Sequence, residues 1–472
     1  MTDKATLTDA TGLGGLIAQG GFDYQLFDAL IRLPAWLADA AFEGFAIEML
    51  EDVEARFVAP HAPHGHVIDR YQAKSAQLTR RGLVDVFKGF QKFAYDYPET
   101  TRAQILVTPT LPPGEAYLSR DPGRVRKARP FYAPFAGIQA ASDEKLWADL
   151  VADFGESLGS FFADNIEVSL QPMADRGQAK AQFAASLYAA FPEHDLGAKA
   201  AASVFADLID YAAARRGQWL TKDDLLAVIG RAAGKPPSRP STLPVHVRSE
   251  RKGSDPSAIE IDASAFSGGA AGYPPSDTWA PNLLTPLDHL HRWARATGHK
   301  RIALSGSYRL TTAFALGWAF RSAVGFEIDI PTREGSWPTD DRAEPEQAPA
   351  WTITPAEALV GDRLVVCIGS VRDPTADVRQ HLGLTTSPSV LTAFLPVPVT
   401  DARAAQASVR VVRGAIEAAV KALKPAAIDL YVAGPTAFFV ALGHRWNAMP
   451  VTQLHEFIAR TRAYVPSALI PV

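Results

Sequence analysis

One stretch, Ala232 to Pro244 (AAGKPPSRPSTLP), most constrains how this chain of 472 residues can fold. Its four prolines fix φ and lack an amide donor, and a glycine and small polar residues surround them. Such a run is expected to be a linker with no regular element. It falls near mid-chain, so each side must build its own core. A hydrophobic content of 47% allows that, and the length suggests roughly two to four domains.

The two sides differ in texture. Before the linker, residues 23–40 read as a helix with an apolar face interrupted near Pro34, and residues 42–59 as strands. Residues 66–76 read as a short strand, 83–96 as a helix and 102–110 as a buried strand. Residues 143–230 are rich in Ala, Leu and Asp and are expected to be mostly helical, with no obvious internal repeat. After the linker, Val/Ile/Leu-rich runs stand at 301–307, 326–331, 363–370, 390–397 and 428–434, several ending in Gly or Ser. Helical stretches at 311–325 and 402–424 lie between them. This is the texture of an α/β fold with buried strands. Nucleotides in such folds sit at the carboxyl ends of strands, where helix N-termini offer N–H groups to phosphate.

Composition narrows the classes. No run of about 18 residues is apolar and uncharged throughout, so no transmembrane helix is expected. The opening MTDKATLTDATGLGG lacks the basic and apolar regions of a secretory signal. The one cysteine, Cys367 in LVVCIG, reads as a buried strand residue, and a lone thiol suits a reducing cytoplasm. The net charge of −4 is unevenly spread. Residues 1–69 hold eleven Asp/Glu against three Lys/Arg, and residues 70–130 hold twelve Lys/Arg against five acids, densest in RVRKAR at 124–129. Carboxylates for a cation beside cations for phosphates are what a metal-dependent nuclease needs, and two solvated faces of opposite sign look the same.

The sharpest local feature is Tyr71-Gln72-Ala73-Lys74, preceded by Glu48, Glu51 and Asp52. Strand side chains alternate, so Gln72 and Lys74 point to one face. In PD-(D/E)xK nucleases a strand-end carboxylate and a second acidic or Gln position hold Mg²⁺, which acidifies a bound water. The lysine orients that water and offsets charge building on the phosphate. The tripeptide pattern alone is weak, since residues 143–145, 178–180 and 250–252 also satisfy it. What separates Gln72 and Lys74 is a β-like flank, an acidic cluster before and a basic helix after. A hairpin with exposed charges meets the same description. His61, His64 and His66 lie in a proline-marked loop without nearby Cys, so zinc is not expected there. Gly12-Leu13-Gly14-Gly15 follows no strand and makes a poor dinucleotide loop.

Gly20-Gly21-Phe22-Asp23-Tyr24-Gln25, then Glu48 to Asp52, then Tyr71 to Lys74, resembles the endonuclease domain of CBASS effectors. In that family a Mrr-like PD-(D/E)xK fold degrades double-stranded DNA. The resemblance implies Asp52 and Gln72 as metal-site residues and Lys74 as the catalytic lysine, with Glu48 and Gln25 in support. Gln72 replaces the usual acid, as in the Mrr-like variant. One carboxylate fewer leaves Glu51 and Asp52 both open as the metal ligand.

Residues from about 246 to 472 resemble the SAVED sensor domain, which is related to CARF Rossmann folds and fused to effectors in CBASS. Residues 301–320 and 326–337 and the closing IDLYVAGPTAFFVALGHRWNAMPVTQLHEF (428–457) carry the likeness. The residues themselves suit a reader of phosphates and bases. Ser307, Tyr308 and Arg309 follow one strand, Arg372 another, and Arg333 with Trp337 a third, while Gly434 and Pro435 shape a turn. Arginine pairs with phosphate, and Tyr or Trp stacks on a base. Phe438 and Phe439 read as core.

Together these readings give an α/β chain. A restriction-endonuclease-like domain is expected over 1–140, a helical extension over 141–231, the linker over 232–245 and a Rossmann-like SAVED domain over 246–472. The implied activity is Mg²⁺-dependent cutting of double-stranded DNA. A cyclic di- or trinucleotide would switch it on through self-association, in the cytoplasm and away from membranes. A ligand-gated scaffold without catalysis is the alternative. A metabolic nucleotide-binding enzyme is a third reading, for which a second catalytic constellation is missing.

Overall fold

The computed structural model describes residues 10–98, 100–132, 136–173, 175–192, 197–234, 242–249, 257–268, 272–333, 335–341, 349–384 and 389–472, with side chains left out at 10–18, 127–132 and 136. Two compact units divide the chain, Met1–Arg239 and Pro240–Val472. Of the expected linker, residues 235–241 lie outside the described residues, as does the 250–252 tripeptide. Its ends are regular: a helix reaches Ala233, and a strand that opens at Thr242 takes in Pro244.

The first unit begins with α1 (Ala10–Ala38), which contains the Gly12–Gly15 run, and the strands β1 (Phe42–Ile47), β2 (Val53–Val58) and β3 (His66–Ala73). Helix α2 (Arg80–Asp96) leads to β4 (Thr101–Thr108). Then come α3 (Asp121–Tyr132), α4 (Ala136–Phe154), α5 (Glu156–Asn165), β5 (Ile166–Leu170), α6 (Arg176–Ala190), α7 (Ala198–Ala213), β6 (Leu220–Thr221) and α8 (Lys222–Ala233). The strands form one mixed sheet, ordered β5-β4-β3-β2-β1-β6. β1, β2 and β3 run antiparallel, whereas β4 and β5 run parallel to β3. One sheet face (Phe57, Tyr71, Val107) packs on α1, α6, α7 and α8, and Leu106, Ile166 and Val168 pack with α2, α4 and α5.

One expectation fails here, and another holds with an addition. Helix α1 runs through Pro34 without interruption. Leu30, Leu33, Trp36 and Leu37 around it are buried, so packing offsets the hydrogen bond that a proline cannot donate. The 143–230 segment is mostly helical as expected, but it also supplies both edge strands of the sheet, β5 and β6. At five and two residues they are too short to show a period.

The second unit holds two sheets. β7 (Thr242–Arg248), β8 (Ile259–Asp262), α9 (Ser276–Trp279), α10 (Thr285–Ala296), β9 (Arg301–Gly306), α11 (Leu310–Ala319), β10 (Glu327–Thr332) and β11 (Gly335–Pro338) build the first, ordered β11-β10-β9-β7-β8. β12 (Thr352–Thr354), β13 (Arg363–Ser370), α12 (Thr375–Leu382), β14 (Val390–Leu395), α13 (Ala402–Leu423), β15 (Ala427–Ala433), α14 (Thr436–His444), β16 (Val451–Ile458) and β17 (Ala463–Ile470) build the second, ordered β12-β14-β13-β15-β16-β17. Each sheet has a parallel core and an antiparallel edge. Helices α11 and α14, each following a parallel strand, pack on one another. Gly317 and Gly443 permit this approach: a Cβ on either would lie 2.1 Å from the Val440 carbonyl oxygen or 2.2 Å from that of Phe314. Cys367 is buried in β13. No helix among the described residues is long and apolar enough to cross a membrane.

Candidate functional site

In the first unit the acidic turn and the end of β3 meet. Residues Glu48–Asp52 join β1 to β2, the Glu48 N–H donating to the Asp52 carbonyl at 3.0 Å, with Glu48 at φ 53°. Val53 pairs with Tyr71, so Asp52 returns beside the last residues of β3. Its Oδ2 accepts the Ala73 N–H at 2.7 Å, and the carboxylate also accepts a hydrogen bond from Gln25 on α1. Lys74 follows directly, its N–H bonded to the Val107 carbonyl at 2.8 Å. The lysine charge acts on both Asp52 and Glu51.

Burial raises the Asp52 pKa against these partners. Burial, then the charges of Asp52 and Glu54, push Glu51 up to about 7. Carboxylates so crowded gain from any cation placed among them. Among the described residues no three His, Cys, Asp or Glu side chains gather into a metal cage, the loop histidines included. The Gln25 Oε1, however, is buried without a hydrogen-bond partner. The Asp52 carboxylate and the Gln25 amide oxygen are ligands of the kind that Mg²⁺ takes, and that ion keeps several waters besides. Glu48 stands on the exposed rim, 3.7 Å from Arg216.

Much of the basic stretch is occupied internally. Arg70 pairs with Glu54 at 3.2 Å, Arg80 with Glu115 at 2.7 Å, and Arg102 with Asp69. Arg126 donates to the carbonyls of Ala163 at 3.0 Å and Ile166 at 2.6 Å. Exposed Arg81, Lys88 and Lys92 on α2 form no ion pair among the described residues. The tripeptides at 143–145 and 178–180 lie inside α4 and α6, so they lack the strand end that Gln72 and Lys74 have.

In the second unit, carboxyl ends of parallel strands surround two adjoining clefts. The larger, about 850 Å³, is lined by Ser307, Tyr308, Arg333, Trp337 and Pro435, together with the first residues of α14. The smaller, about 440 Å³, takes Tyr308, Arg309, Arg372 and Gly434. All eight residues singled out from sequence therefore lie on one continuous pair of walls, with Tyr308 shared. Gly306 makes the turn, at φ 90° and with no room for a Cβ, which would sit 2.2 Å from the Val247 carbonyl oxygen.

The cations differ in availability. Arg333 is exposed and forms no ion pair among the described residues. Arg372 instead pairs with Asp377 at 2.7 Å and lies over the Phe457 ring at 4.5 Å. Asp377 also holds Arg462 at 2.9 Å, and these two arginines keep its carboxyl below the usual range. Arg309 Nε donates to the Ser267 carbonyl at 2.5 Å. Burial pushes the Tyr308 hydroxyl up, so it stays a neutral donor. Phe438 and Phe439 are fully buried.

Sequence reasoning missed Glu456. It lines the smaller cleft although only 5% exposed. Its Oε1 accepts the Thr311 N–H, at the start of α11, at 3.0 Å, and Tyr273 also bonds to it. Burial raises its pKa. Alternation through VTQLHEF was the available signal, since it puts Glu456 on the face of Thr452 and Leu454.

Residues 286–470 match the SAVED family model, the SMODS-associated and fused to various effectors sensor domain. CD-NTase-associated protein 4 of Moraxella osloensis is 23% identical over 476 residues, covering 98% of this chain and 99% of that protein. The Acinetobacter baumannii Cap4 SAVED/CARF-domain containing receptor with the cyclic trinucleotide 3'3'3'-cAAA superposes at TM-score 0.79, with 19% identity over 96% of this chain and 99% of that one. Its complex with 2'3'3'-cAAA gives TM-score 0.77 at 18% identity, over the same shares. The second unit thus carries a SAVED domain, and the chain resembles Cap4 from end to end in sequence and fold.

Proposed function

We propose that this chain is a cyclic-oligonucleotide-activated, metal-dependent endodeoxyribonuclease of CBASS anti-phage defence. The observation that carries the reading is the meeting of Asp52, Gln25 and Lys74 at one strand end, in a chain whose other unit holds a SAVED domain. Mg²⁺ would be held by Asp52 with the amide oxygens of Gln72 and Gln25, and when bound it polarises the scissile phosphate and acidifies a bound water. Asp52 is oriented for this by Gln25 and the Ala73 N–H. Lys74 offsets charge growing on the phosphate oxygens. The Glu51 carboxyl, pushed up to about 7, can exchange a proton near neutral pH. Arg81, Lys88 and Lys92 offer duplex phosphates a salt-sensitive footing.

In the sensor, a cyclic di- or trinucleotide would occupy the paired clefts. Tyr308 and Trp337 are the stacking surfaces, and Arg333 with the N-terminus of α14 is the phosphate contact. Cap4 of A. baumannii, similar along its length, has been seen with cyclic trinucleotides. Ligand binding would favour self-association and so switch on cutting in the cytoplasm.

The test is an agarose-gel assay of linear duplex DNA with Mg²⁺ and a panel of cyclic di- and trinucleotides. Degradation is expected with one class of ligand for wild type and none for Lys74→Ala. Intact DNA despite measured ligand binding would leave the sensor and favour a non-catalytic scaffold.

A further inference from the structure

Helices α11 and α14 hold matching places, each after a parallel strand, yet their first turns differ. No side chain caps α14, whose first residue borders both clefts. At α11 the N–H of the second residue, Thr311, is already taken by Glu456 Oε1 at 3.0 Å. A free helix N-terminus suits an anion, and a carboxylate of the chain itself fills that role at α11. A phosphate brought to the start of α11 would face the Glu456 carboxylate.

The cations divide in the same way. Of those lining the smaller cleft, Arg372 is paired with Asp377 at 2.7 Å, and Arg309 donates to the Ser267 carbonyl. Arg333, in the larger cleft, forms no ion pair among the described residues. What the smaller cleft offers instead is rings and an acceptor. Tyr273 and Tyr308 line it together with Glu456, which is 5% exposed and bonded to Tyr273. About 440 Å³ with aromatic walls and one fixed acceptor suits a flat ring held by its edge.

We propose, on the sensor reading above, that the smaller cleft takes a base of the cyclic nucleotide and that Glu456 selects one with an exocyclic amino group, as in adenine, cytosine or guanine. The amino N–H donates to a carboxyl oxygen while the ring lies against tyrosine. A carbonyl oxygen at that position of the base sets acceptor against acceptor and leaves both desolvated. The phosphates stay with Arg333 and α14, and Tyr308, which lines both clefts, stands at the join.

Isothermal titration of the full-length protein tests it, at pH 8 to favour the ionised carboxyl and without divalent metal. The probes are cyclic di- and trinucleotides of adenine, cytosine and guanine, each beside its deaminated counterpart with hypoxanthine, uracil or xanthine. Deamination turns the amino group into a carbonyl oxygen and keeps the ring size. For the base that binds tightest, the deaminated probe is expected to bind at least about tenfold more weakly, the worth of one hydrogen bond to a charged group. Glu456→Gln keeps an oxygen for the Thr311 N–H and supplies an N–H to the carbonyl probe. The ratio of the two affinities is therefore expected to fall towards one. Equal affinities in wild type, or a ratio unchanged in Glu456→Gln, would overturn the proposal. The wild-type ratio needs no variant, so a folding defect in Glu456→Gln does not shield it. Heat from none of the probes in wild type would instead remove the sensor reading, and this assignment with it.

Discussion

His444 closes α14 with only 1% of its surface exposed, its Nδ1 2.7 Å from the Phe320 carbonyl. Burial holds its pKa down at about 4, against the pull of that carbonyl. The unfolded imidazole takes a proton below its ordinary 6.5, whereas the folded one does not until about pH 4. The unfolded state therefore binds more protons across this window. The stabilisation is complete above pH 6.5 and is lost as pH falls towards 4, by roughly 3 kcal/mol. Thermal unfolding measured across that window should show a falling midpoint for wild type. His444→Gln, which keeps a donor for Phe320, should flatten the slope. Parallel slopes would remove His444 from the explanation. At this scale the sequence anticipated position: Lys74 follows the end of β3 beside Asp52, and Tyr308 and Arg333 stand in cleft walls. It was silent where a partner decides the role. Arg126 belongs to the densest basic run yet bonds backbone carbonyls, and alternation marks Glu456 as inward-facing without naming its partners Thr311 and Tyr273.

Among the elements, α11 and α14 are the pair on which the clefts depend, since each begins at a cleft wall. Their closeness rests on Gly317 and Gly443. Gly443→Ala would place a methyl 2.2 Å from the Phe314 carbonyl oxygen, and backbone on both helices must move to admit it. Such overpacking costs about 1–3 kcal/mol. If the clefts take a cyclic nucleotide as proposed, the expected outcome is a lower unfolding midpoint together with weaker binding of a cyclic trinucleotide, measured by calorimetry on the same sample. A variant with wild-type binding would show that the helix spacing does not shape the clefts. Buried strands such as β13 could be read in advance from an unbroken apolar run, and long amphipathic helices such as α13 from a sustained hydrophobic period. β6 could not: two residues pair with Gly44 and Phe45 of β1, a tertiary contact with no local signature. The unbroken α1 at Pro34 has the same origin, packing prevailing over propensity.

For the molecule as a whole, the proposed switch makes a quantitative demand. If a cyclic nucleotide drives assembly, it must bind the assembled state more tightly than the free one, and a hundredfold preference is worth only about 2.7 kcal/mol. Linkage is reciprocal, so assembly must tighten the ligand by the same factor. The apparent Kd of a labelled cyclic trinucleotide should then fall as protein concentration rises, by up to about a hundredfold between fully dissociated and fully assembled protein. Lys74→Ala is the protein to use, because on the proposed reading it removes cutting and leaves the sensor intact: Lys74 belongs to the first unit and lines neither cleft. Fluorescence anisotropy at a low and a high protein concentration, with sedimentation velocity on the same samples, gives both sides of the linkage. Larger species that appear with ligand while the Kd drops would tie sensing to assembly. A Kd independent of protein concentration would mean that the ligand does not distinguish the two states, and activation would then have to arise within a single copy of the chain.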